Sequence, residues 1–271
     1  EISLFSPHDV PGLYDAFGTE SFDDLYTSYE SDGSVPRKTI GAQELFLDIL
    51  KERAETGRLY IMNIDHCNSH SSFLDKVEMS NLCQEITLPT KPLEHIDDPN
   101  GEIALCILSA VNVGKIRDLD DLKVLCDLAV RSLDELIDFQ NYPINAAEIA
   151  TKARRSLGIG FIGLAHYLAK HGHDYNDPGA WQLVHNLTEA FQYYLISATV
   201  DLAEEKGACE YSSRTKYGNG ILPIDTYKHD VDEIVPNELH YDWEDLRLRV
   251  KKHGVRNSTL SAQMPSESSS V

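Results

Sequence analysis

The chain is poor in basic residues relative to acidic ones. It contains 24 Lys and Arg against 44 Asp and Glu, which gives a formal net charge of -20 at pH 7. Nucleic-acid backbones and anionic membrane surfaces bind clustered Lys and Arg, so this balance argues against either as a general partner. We interpret the excess of carboxylates as a solvated acidic surface that favours solubility, rather than as a dedicated cation-binding region.

Long apolar runs and a targeting segment are also lacking. No stretch reaches the roughly 18 apolar residues that a transmembrane helix needs. The segment Glu1–Pro7 has no basic n-region, no cleavage pattern and no initiator Met, so no secretory signal is predicted. The 271 residues, 42% of them hydrophobic, are enough for one large domain or two ordinary ones, and no Pro/Gly-rich linker divides them.

Cysteines are few and widely spaced, and their number is odd: they are Cys67, Cys83, Cys106, Cys126 and Cys209. In a chain without a secretory signal, this usage predicts a reducing, cytoplasmic compartment in which any disulfide is catalytic rather than structural. Cys126, on the apolar stripe of a predicted helix, and Cys209 are expected to be structural.

Strand-like and helix-like segments alternate along the chain, which predicts an α/β architecture with parallel strands. Helices are predicted over 41–55, 119–139, 162–170, 181–206 and 242–252, strands over 58–63, 102–113 and 157–161, a polar loop over 64–80 and a turn-rich stretch over 211–237. The segment 102–113 is almost continuously apolar, which predicts a strand buried on both faces.

Two local motifs resemble ligand-binding sites, but we favour a structural explanation for each. Gly158–Gly163 reads G-x-G-x-x-G, but Asp177 lies in a turn rather than at a strand end, which weakens a dinucleotide site. We interpret these glycines as close packing between a strand and its helix. His66, Cys67 and His70 fit no common zinc-ligand spacing, even with His95 added, so no metal site is predicted.

An amide, a thiol and a carboxylate stand at alternate positions in Asn81, Cys83 and Glu85. Residues two apart in an extended backbone share a face, so the three are predicted to line one side of a strand or extended loop. A neighbouring carboxylate disfavours a thiolate, which favours a sulfur that acts as a neutral thiol or as a radical. Taken alone, this spacing is also compatible with a chance surface pair, and Cys106 with an inert packing residue.

Longer segments resemble the large, catalytic subunit of class I ribonucleotide reductase. The matching segments are LFSPHDVPGLY at 4–14, SNLCQEITLPT at 80–90, GEIALC at 101–106, RSLGIG at 155–160, GILPIDTY at 220–227, HGVRNSTL at 253–260 and MPSESS at 264–269. They cover essentially the whole chain, in order and at compatible spacing. The resemblance implies one segment of a ten-stranded α/β barrel, incomplete in this chain. Residues 1–63 would end the first half-barrel, 64–101 would be a loop region with the radical cysteine, and 102–271 would form part of the second half-barrel.

The resemblance also implies roles for individual residues. Asn81 would hold the ribose hydroxyls, Cys83 would become a thiyl radical that takes the 3′-hydrogen, and Glu85 would remove the 3′-hydroxyl proton. Cys106 would be one of two reducing cysteines that close a disulfide as the 2′-hydroxyl leaves as water. The substrate-binding set would be completed by Leu82, Gln84, Pro265, Ser266, Glu267, Ser268 and Ser269.

The last five of these residues, 265–269, resemble a diphosphate-binding turn. Proline suits the first turn of a helix, and backbone N–H groups with serine hydroxyls at a helix N-terminus bind anions. The alternative is a serine-rich tail without a binding role.

Partners follow from the same resemblance. The substrate would be a ribonucleoside diphosphate, thioredoxin or glutaredoxin would be the reductant, and a metal-containing small subunit would supply the radical, with no cofactor bound by this chain. The second reducing cysteine is expected upstream of Glu1, and the radical-path tyrosines and C-terminal cysteines after Val271. We therefore expect complementary catalytic-subunit fragments, from a split or intein-interrupted gene, to be needed for activity. The alternative is a non-catalytic remnant that serves as a scaffold, although a remnant has no need to retain the four site residues.

Overall fold

The computed structural model describes residues 1–236 and 238–266. The chain forms two compact units, Glu1–Cys67 and Asn68–Val271. The boundary at Cys67 falls inside the predicted loop region 64–101, and the assignment of the three ranges to parts of a barrel stays a prediction.

The first unit combines a short antiparallel strand pair with helices. Its elements are β1 (Ile2–Leu4), α1 (Leu13–Ala16), α2 (Ser21–Ser31), β2 (Lys38–Ile40), α3 (Ala42–Thr56) and the start of α4 (Ile64–His70). β1 pairs with β2 so that Ile2 lies opposite Ile40. The helix predicted over 41–55 is confirmed as α3, and Gly57 ends it with a φ of 65°, the left-handed conformation that glycine adopts without strain.

Two predictions for the region after α3 are wrong. Residues 58–63 form no strand, because no other described segment pairs with their backbone in a ladder. The polar loop predicted over 64–80 begins with α4, in which Ile64 is the only buried residue. A helix with a single apolar anchor gives no periodic pattern, so its sequence resembles a loop.

The second unit contains the parallel strands and the longest helices. Its elements are β3 (Ile107–Asn112), α5 (Asp121–Phe139), α6 (Asn145–Arg154), β4 (Leu157–Ile162), α7 (Leu164–Lys170), α8 (Pro178–Lys206), α9 (Pro223–Thr226) and α10 (Trp243–His253). 3₁₀ helices join them at Val113–Lys115, Ser212–Arg214, Tyr217–Asn219 and His229–Glu233. The predicted helices α5, α7, α8 and α10, the strand β4 and the turn-rich character of 211–236 are confirmed. Helix α6 was not predicted.

The sheet of this unit is parallel and open. β3 lies beside β4, with Ile107 opposite Leu157. On the other side of β4, Leu157 N–H donates to Thr259 O (3.1 Å) and Ile159 N–H donates to Leu260 O (2.8 Å), so residues 259–262 run alongside β4 like a third strand. The predicted α/β class is confirmed, and among the described residues the sheet does not close into a barrel.

The strand predicted over 102–113 is shorter and more exposed than expected. β3 begins only at Ile107, and the Leu108 side chain is 43% exposed. Among the described residues β3 pairs with β4 alone, so one of its edges and part of its surface lack a covering layer. The continuous apolar run therefore belongs to a strand at the open edge of a sheet, and not to a strand that is enclosed on both faces.

The core of the second unit lies between α5, α8 and β4. Leu122, Cys126 and Val130 of α5 are fully buried, as are Leu187 and Leu195 of α8. Burying each such leucine stabilises the fold by roughly 1.5–3 kcal/mol. Burial raises the pKa of the Cys126 thiol to about 12, which fits the structural role expected for this cysteine. In residues 1–236 and 238–266, no helix is both long and apolar enough to cross a membrane.

Candidate active site

The segment from Asn81 to Ile86 forms a tight turn. Gln84 N–H donates to Asn81 O (3.2 Å), and Ile86 N–H donates to the Asn81 side-chain Oδ1 (3.0 Å). Gln84 has a φ of 63°, in the left-handed region that non-glycine residues seldom adopt. The prediction that Asn81, Cys83 and Glu85 share one face of a strand or extended loop is therefore wrong, because a turn reverses the chain between them.

The side chains of the turn differ in their exposure to solvent. Cys83 is exposed, and the Leu82 side chain is 85% exposed. Glu85 is half-buried, and its Oε2 is buried without a hydrogen-bond donor among the described residues. A buried carboxylate oxygen without a donor is costly, so its presence marks an atom available to accept a proton or hydrogen bond from a ligand.

Cys106 lies immediately before β3 and within the electrostatic reach of this carboxylate. Its thiol is half-buried rather than enclosed in a strand interior. Burial, and secondarily the negative charge of Glu85, raises the pKa of Cys106 to about 12. The charge of Glu85 in the turn thus acts on the thiol at the start of β3, and the Cys106 thiol stays protonated at neutral pH.

Two glycines of β4 lie close against neighbouring segments, and Gly158 provides the space beside Cys106. A Cβ atom on Gly158 would lie 2.9 Å from Cys106 Sγ and 2.5 Å from Leu108 Cδ2. On Gly160 it would lie 2.5 Å from Ala262 O. The nearest atoms thus belong to neighbouring extended segments, which corrects our expectation that these glycines pack against a helix. Because these protein atoms lie against the glycines, the face leaves little room for a dinucleotide phosphate.

The segment after residue 262 continues along β4 towards the predicted diphosphate turn. The Gln263 side chain pairs with the backbone of Phe161, donating from Nε2 to Phe161 O (2.6 Å) and accepting from Phe161 N–H (3.3 Å). Met264 is buried, Pro265 is exposed and Ser266 is half-buried. Glu267, Ser268 and Ser269 lie outside the described residues, so the diphosphate turn stays a prediction.

A buried arginine ties together the segments that carry these groups, and sequence patterns did not reveal it. The Arg154 guanidinium donates to Glu102 Oε2 from Nε (3.0 Å) and Nη2 (2.8 Å), and to Asp75 Oδ2 from Nη1 (2.9 Å). Arg154 and Glu102 are respectively 2% and 3% exposed. Only the fold brings these three residues together, since 79 positions separate Asp75 from Arg154.

In residues 1–236 and 238–266, no three His, Cys, Asp or Glu side chains are grouped so that they could hold a metal ion. The groups at the site are the thiols of Cys83 and Cys106 and the carboxylate of Glu85.

Known proteins are similar to this chain over all or nearly all of its length. The family model for the ribonucleotide reductase barrel domain matches residues 1–271. The ribonucleoside-diphosphate reductase subunit alpha of Haemophilus influenzae is 58% identical over 100% of this chain, and the ribonucleoside-diphosphate reductase 1 subunit alpha of Escherichia coli is also 58% identical over 100% of it. The subunit alpha of Enterobacteria phage T4 is 42% identical over 99% of it. In each case the chain spans 36% of the relative's length. The chain therefore belongs to the ribonucleotide reductase family and corresponds to a fragment of the barrel domain of the large subunit.

Proposed function

We propose that this chain supplies the ribose-reducing loop of a ribonucleoside-diphosphate reductase. The observation that carries the proposal is the electrostatic coupling between Glu85 of the Asn81–Ile86 turn and Cys106. The site combines the exposed Cys83 thiol, the Glu85 carboxylate, whose buried Oε2 has no donor among the described residues, and the Cys106 thiol with its raised pKa. Relatives that are 58% identical over the whole chain bear the name of this enzyme, which supports the same chemistry here.

In the proposed reaction, Cys83 acts as a thiyl radical and takes the 3′-hydrogen of the ribose. Glu85 accepts the proton of the 3′-hydroxyl as general base, through the Oε2 that has no donor among the described residues. Asn81 holds a ribose hydroxyl through Nδ2, since its Oδ1 already accepts the Ile86 N–H. The turn thus fixes the amide that binds substrate while the Cys83 thiol stays accessible.

Cys106 supplies a proton and, with a second cysteine, two electrons. The C2′–O bond breaks and the 2′-hydroxyl leaves as water with the proton of one thiol. The hydrogen of the other thiol goes to C2′, the two sulfurs join as a disulfide, and Glu85 returns its proton to the 3′-oxygen. The nucleotide is reduced at C2′, and the hydrogen taken from C3′ returns from Cys83. A raised pKa suits this role, because a thiol that remains protonated at neutral pH can protonate the leaving hydroxyl.

The remaining parts of the site come from other polypeptide. Cys126 and Cys209 are both buried, which prevents either from serving as the second reductant without rearrangement. We propose that complementary catalytic-subunit segments supply that cysteine and that residues 265–269 bind the diphosphate. A metal-containing small subunit would generate the radical, and thioredoxin or glutaredoxin would reduce the disulfide again.

The test is reconstitution of the chain with the polypeptide segments that complete its relatives and with a radical-generating small subunit. Deoxyribonucleotide formation is measured for the wild type, Cys83→Ser, Glu85→Gln and Cys106→Ser. The proposal requires turnover that all three substitutions abolish, with Cys67→Ser as a cysteine control that retains it. A chain that associates with these segments but never supports turnover would instead be the non-catalytic scaffold.

A further inference from the structure

The Asn81–Ile86 turn belongs to a long segment with little regular structure of its own. Residues 75–102 contain no helix and no strand of the named sheets. A segment of this length has high conformational entropy when it is held only at its ends. Val77 and Leu88, which flank the turn, are buried, so the position of Cys83 and Glu85 depends on these anchors together with how firmly the two ends are fixed.

The N-terminal end is fixed at Asp75. Leu74 N–H donates to Arg214 O (3.0 Å), and Phe73 forms an isolated antiparallel bridge with Thr215. The Asp75 carboxylate accepts one hydrogen bond from Arg214 Nε (3.1 Å) and another from Arg154 Nη1 (2.9 Å). Backbone and side-chain bonds thus hold the segment directly before the turn.

The C-terminal end is fixed at Glu102, four residues before Cys106. Its backbone exchanges two hydrogen bonds with Lys91, both of 3.1 Å, and Ile103 N–H donates to Ala146 O (3.2 Å). The Glu102 carboxylate is buried and accepts two hydrogen bonds from Arg154, while its other oxygen lies 3.6 Å from Lys91 Nζ.

Arg154 reaches a third segment through its own backbone. Its carbonyl oxygen accepts Ser258 N–H (2.9 Å), and the chain from Ser258 runs along β4 to Met264 and Pro265. The side-chain hydroxyl of Ser72 donates to Ser258 O (2.9 Å), which links this segment to the start of the loop as well. One residue therefore contacts all three stretches on which the proposed site depends.

We propose that Arg154 is a positioning residue that clamps the two ends of the 75–102 loop and so sets the approach of the Asn81–Ile86 turn to Cys106. The effect of Arg154 on catalysis rests on the proposed function, whereas its hydrogen bonds to both ends of the loop do not. A planar guanidinium bonds two carboxylates in fixed directions at once, whereas a lysine ammonium is a point charge that cannot reproduce this fork. The charge alone is therefore not sufficient.

The adjacent residue provides a matched control. Arg155 is also buried, and its guanidinium bonds Asp134 (2.6 Å from Nε to Oδ1) and Asp138 (2.8 Å from Nη2 to Oδ2). None of its side-chain hydrogen bonds reaches residues 75–102. Arg154→Lys and Arg155→Lys thus remove comparable buried hydrogen bonds, but only the hydrogen bonds of Arg154 reach the 75–102 loop.

The test compares these two variants in the 271-residue chain by amide hydrogen exchange and by iodoacetamide labelling of Cys106, read by peptide mass spectrometry. Losing at least one charge-assisted hydrogen bond predicts that Arg154→Lys speeds exchange at Ile86 and labelling of Cys106 by about tenfold or more. Arg155→Lys should change both by less than about twofold at equal loss of global stability. Asp75→Asn, a milder change, should loosen the same loop to a smaller extent and decides the question if Arg154→Lys does not fold.

Equal effects of the two lysine variants, or exchange that rises throughout the second unit, would reduce Arg154 to a general stabilising residue and overturn the proposal. In the reconstituted enzyme, Arg154→Lys should lower kcat more than it raises KM, whereas Arg155→Lys should not. If the wild-type assembly forms no deoxyribonucleotide, the proposed function fails, while the exchange and labelling results still decide the clamp.

Discussion

Replacing Gly158 by alanine is expected to displace the Cys106 thiol. The added Cβ would lie 2.9 Å from Cys106 Sγ, 2.5 Å from Leu108 Cδ2 and 3.1 Å from Ala262 Cβ. Ordinary contacts between such atoms are about 3.5–4.0 Å, so the sulfur has to move by roughly 0.6 Å or more. Gly158 is buried within β4, between β3 and residues 259–262, so the strand has little freedom to yield.

Two opposing effects set the stability change. Overpacking a well-packed interior costs about 1–3 kcal/mol, whereas replacing a strand glycine recovers roughly 0.5–1 kcal/mol of backbone entropy. We therefore expect Gly158→Ala to lower the free energy of unfolding by about 1–2 kcal/mol, measured as a shift in the urea midpoint. Because a 1 Å misplacement of a reacting group can cost about a hundredfold in rate, we also expect kcat of the reconstituted enzyme to fall by roughly tenfold or more.

Two further variants separate the causes. Gly33→Ala meets no atom within 4 Å and should leave the unfolding free energy and kcat nearly unchanged. Adding Leu108→Ala to Gly158→Ala removes the closest overlap and should recover stability, but not kcat, since the contact with Cys106 persists. If Gly158→Ala matches the wild type in both stability and kcat, the close approach of Cys106 to β4 is refuted.

Other consequences of the structure can be measured in the same chain. Gln84→Val should speed amide exchange at Ile86 by about tenfold, because β-branched residues resist the left-handed conformation, whereas Gln84→Gly should retain the turn. Burial raises the pKa of Cys126 to about 12 from an ordinary value of 9.0, so its contribution to stability is fully present below pH 9 and is lost as the pH rises towards 12. The urea midpoint should therefore fall more steeply above pH 9 in the wild type than in Cys126→Ala, and parallel curves would contradict this. Asp242→Ala removes the side-chain acceptor of the Asp245 N–H at the start of α10 and should cost about 1 kcal/mol, with Asp242→Asn nearly neutral.

The sequence predicted the elements whose apolar residues recur with a clear period. α5 and α8 carry long apolar stripes, and α8 ends before Gly207 as expected. α6 has no such signal, because its buried face is mainly alanine and the side chains of Thr151 and Arg154 complete it. The segment 58–63 shows the converse, since apolar and aromatic residues alone do not make a strand without a neighbour to pair with.

Family resemblance predicted the candidate site better than residue spacing did. Alternation of Asn81, Cys83 and Glu85 predicted a shared face, but hydrogen bonds local to the turn overrode it. The proximity of Glu85 to Cys106 and the clamp at Arg154 join residues far apart in the chain. No periodicity encodes such contacts, because they depend on how β4 and the loop are packed.

The most direct test of the account is whether Cys83 takes the 3′-hydrogen of the substrate. The reconstituted enzyme is given a mixture of 3′-deuterated and 3′-protonated ribonucleoside diphosphate, and the deoxyribonucleotide products are compared by mass spectrometry. The account predicts that the protonated substrate is reduced preferentially and that Cys83→Ser forms no product, while Cys67→Ser behaves as the wild type. Product formation by Cys83→Ser, with no discrimination between the two substrates, would contradict it.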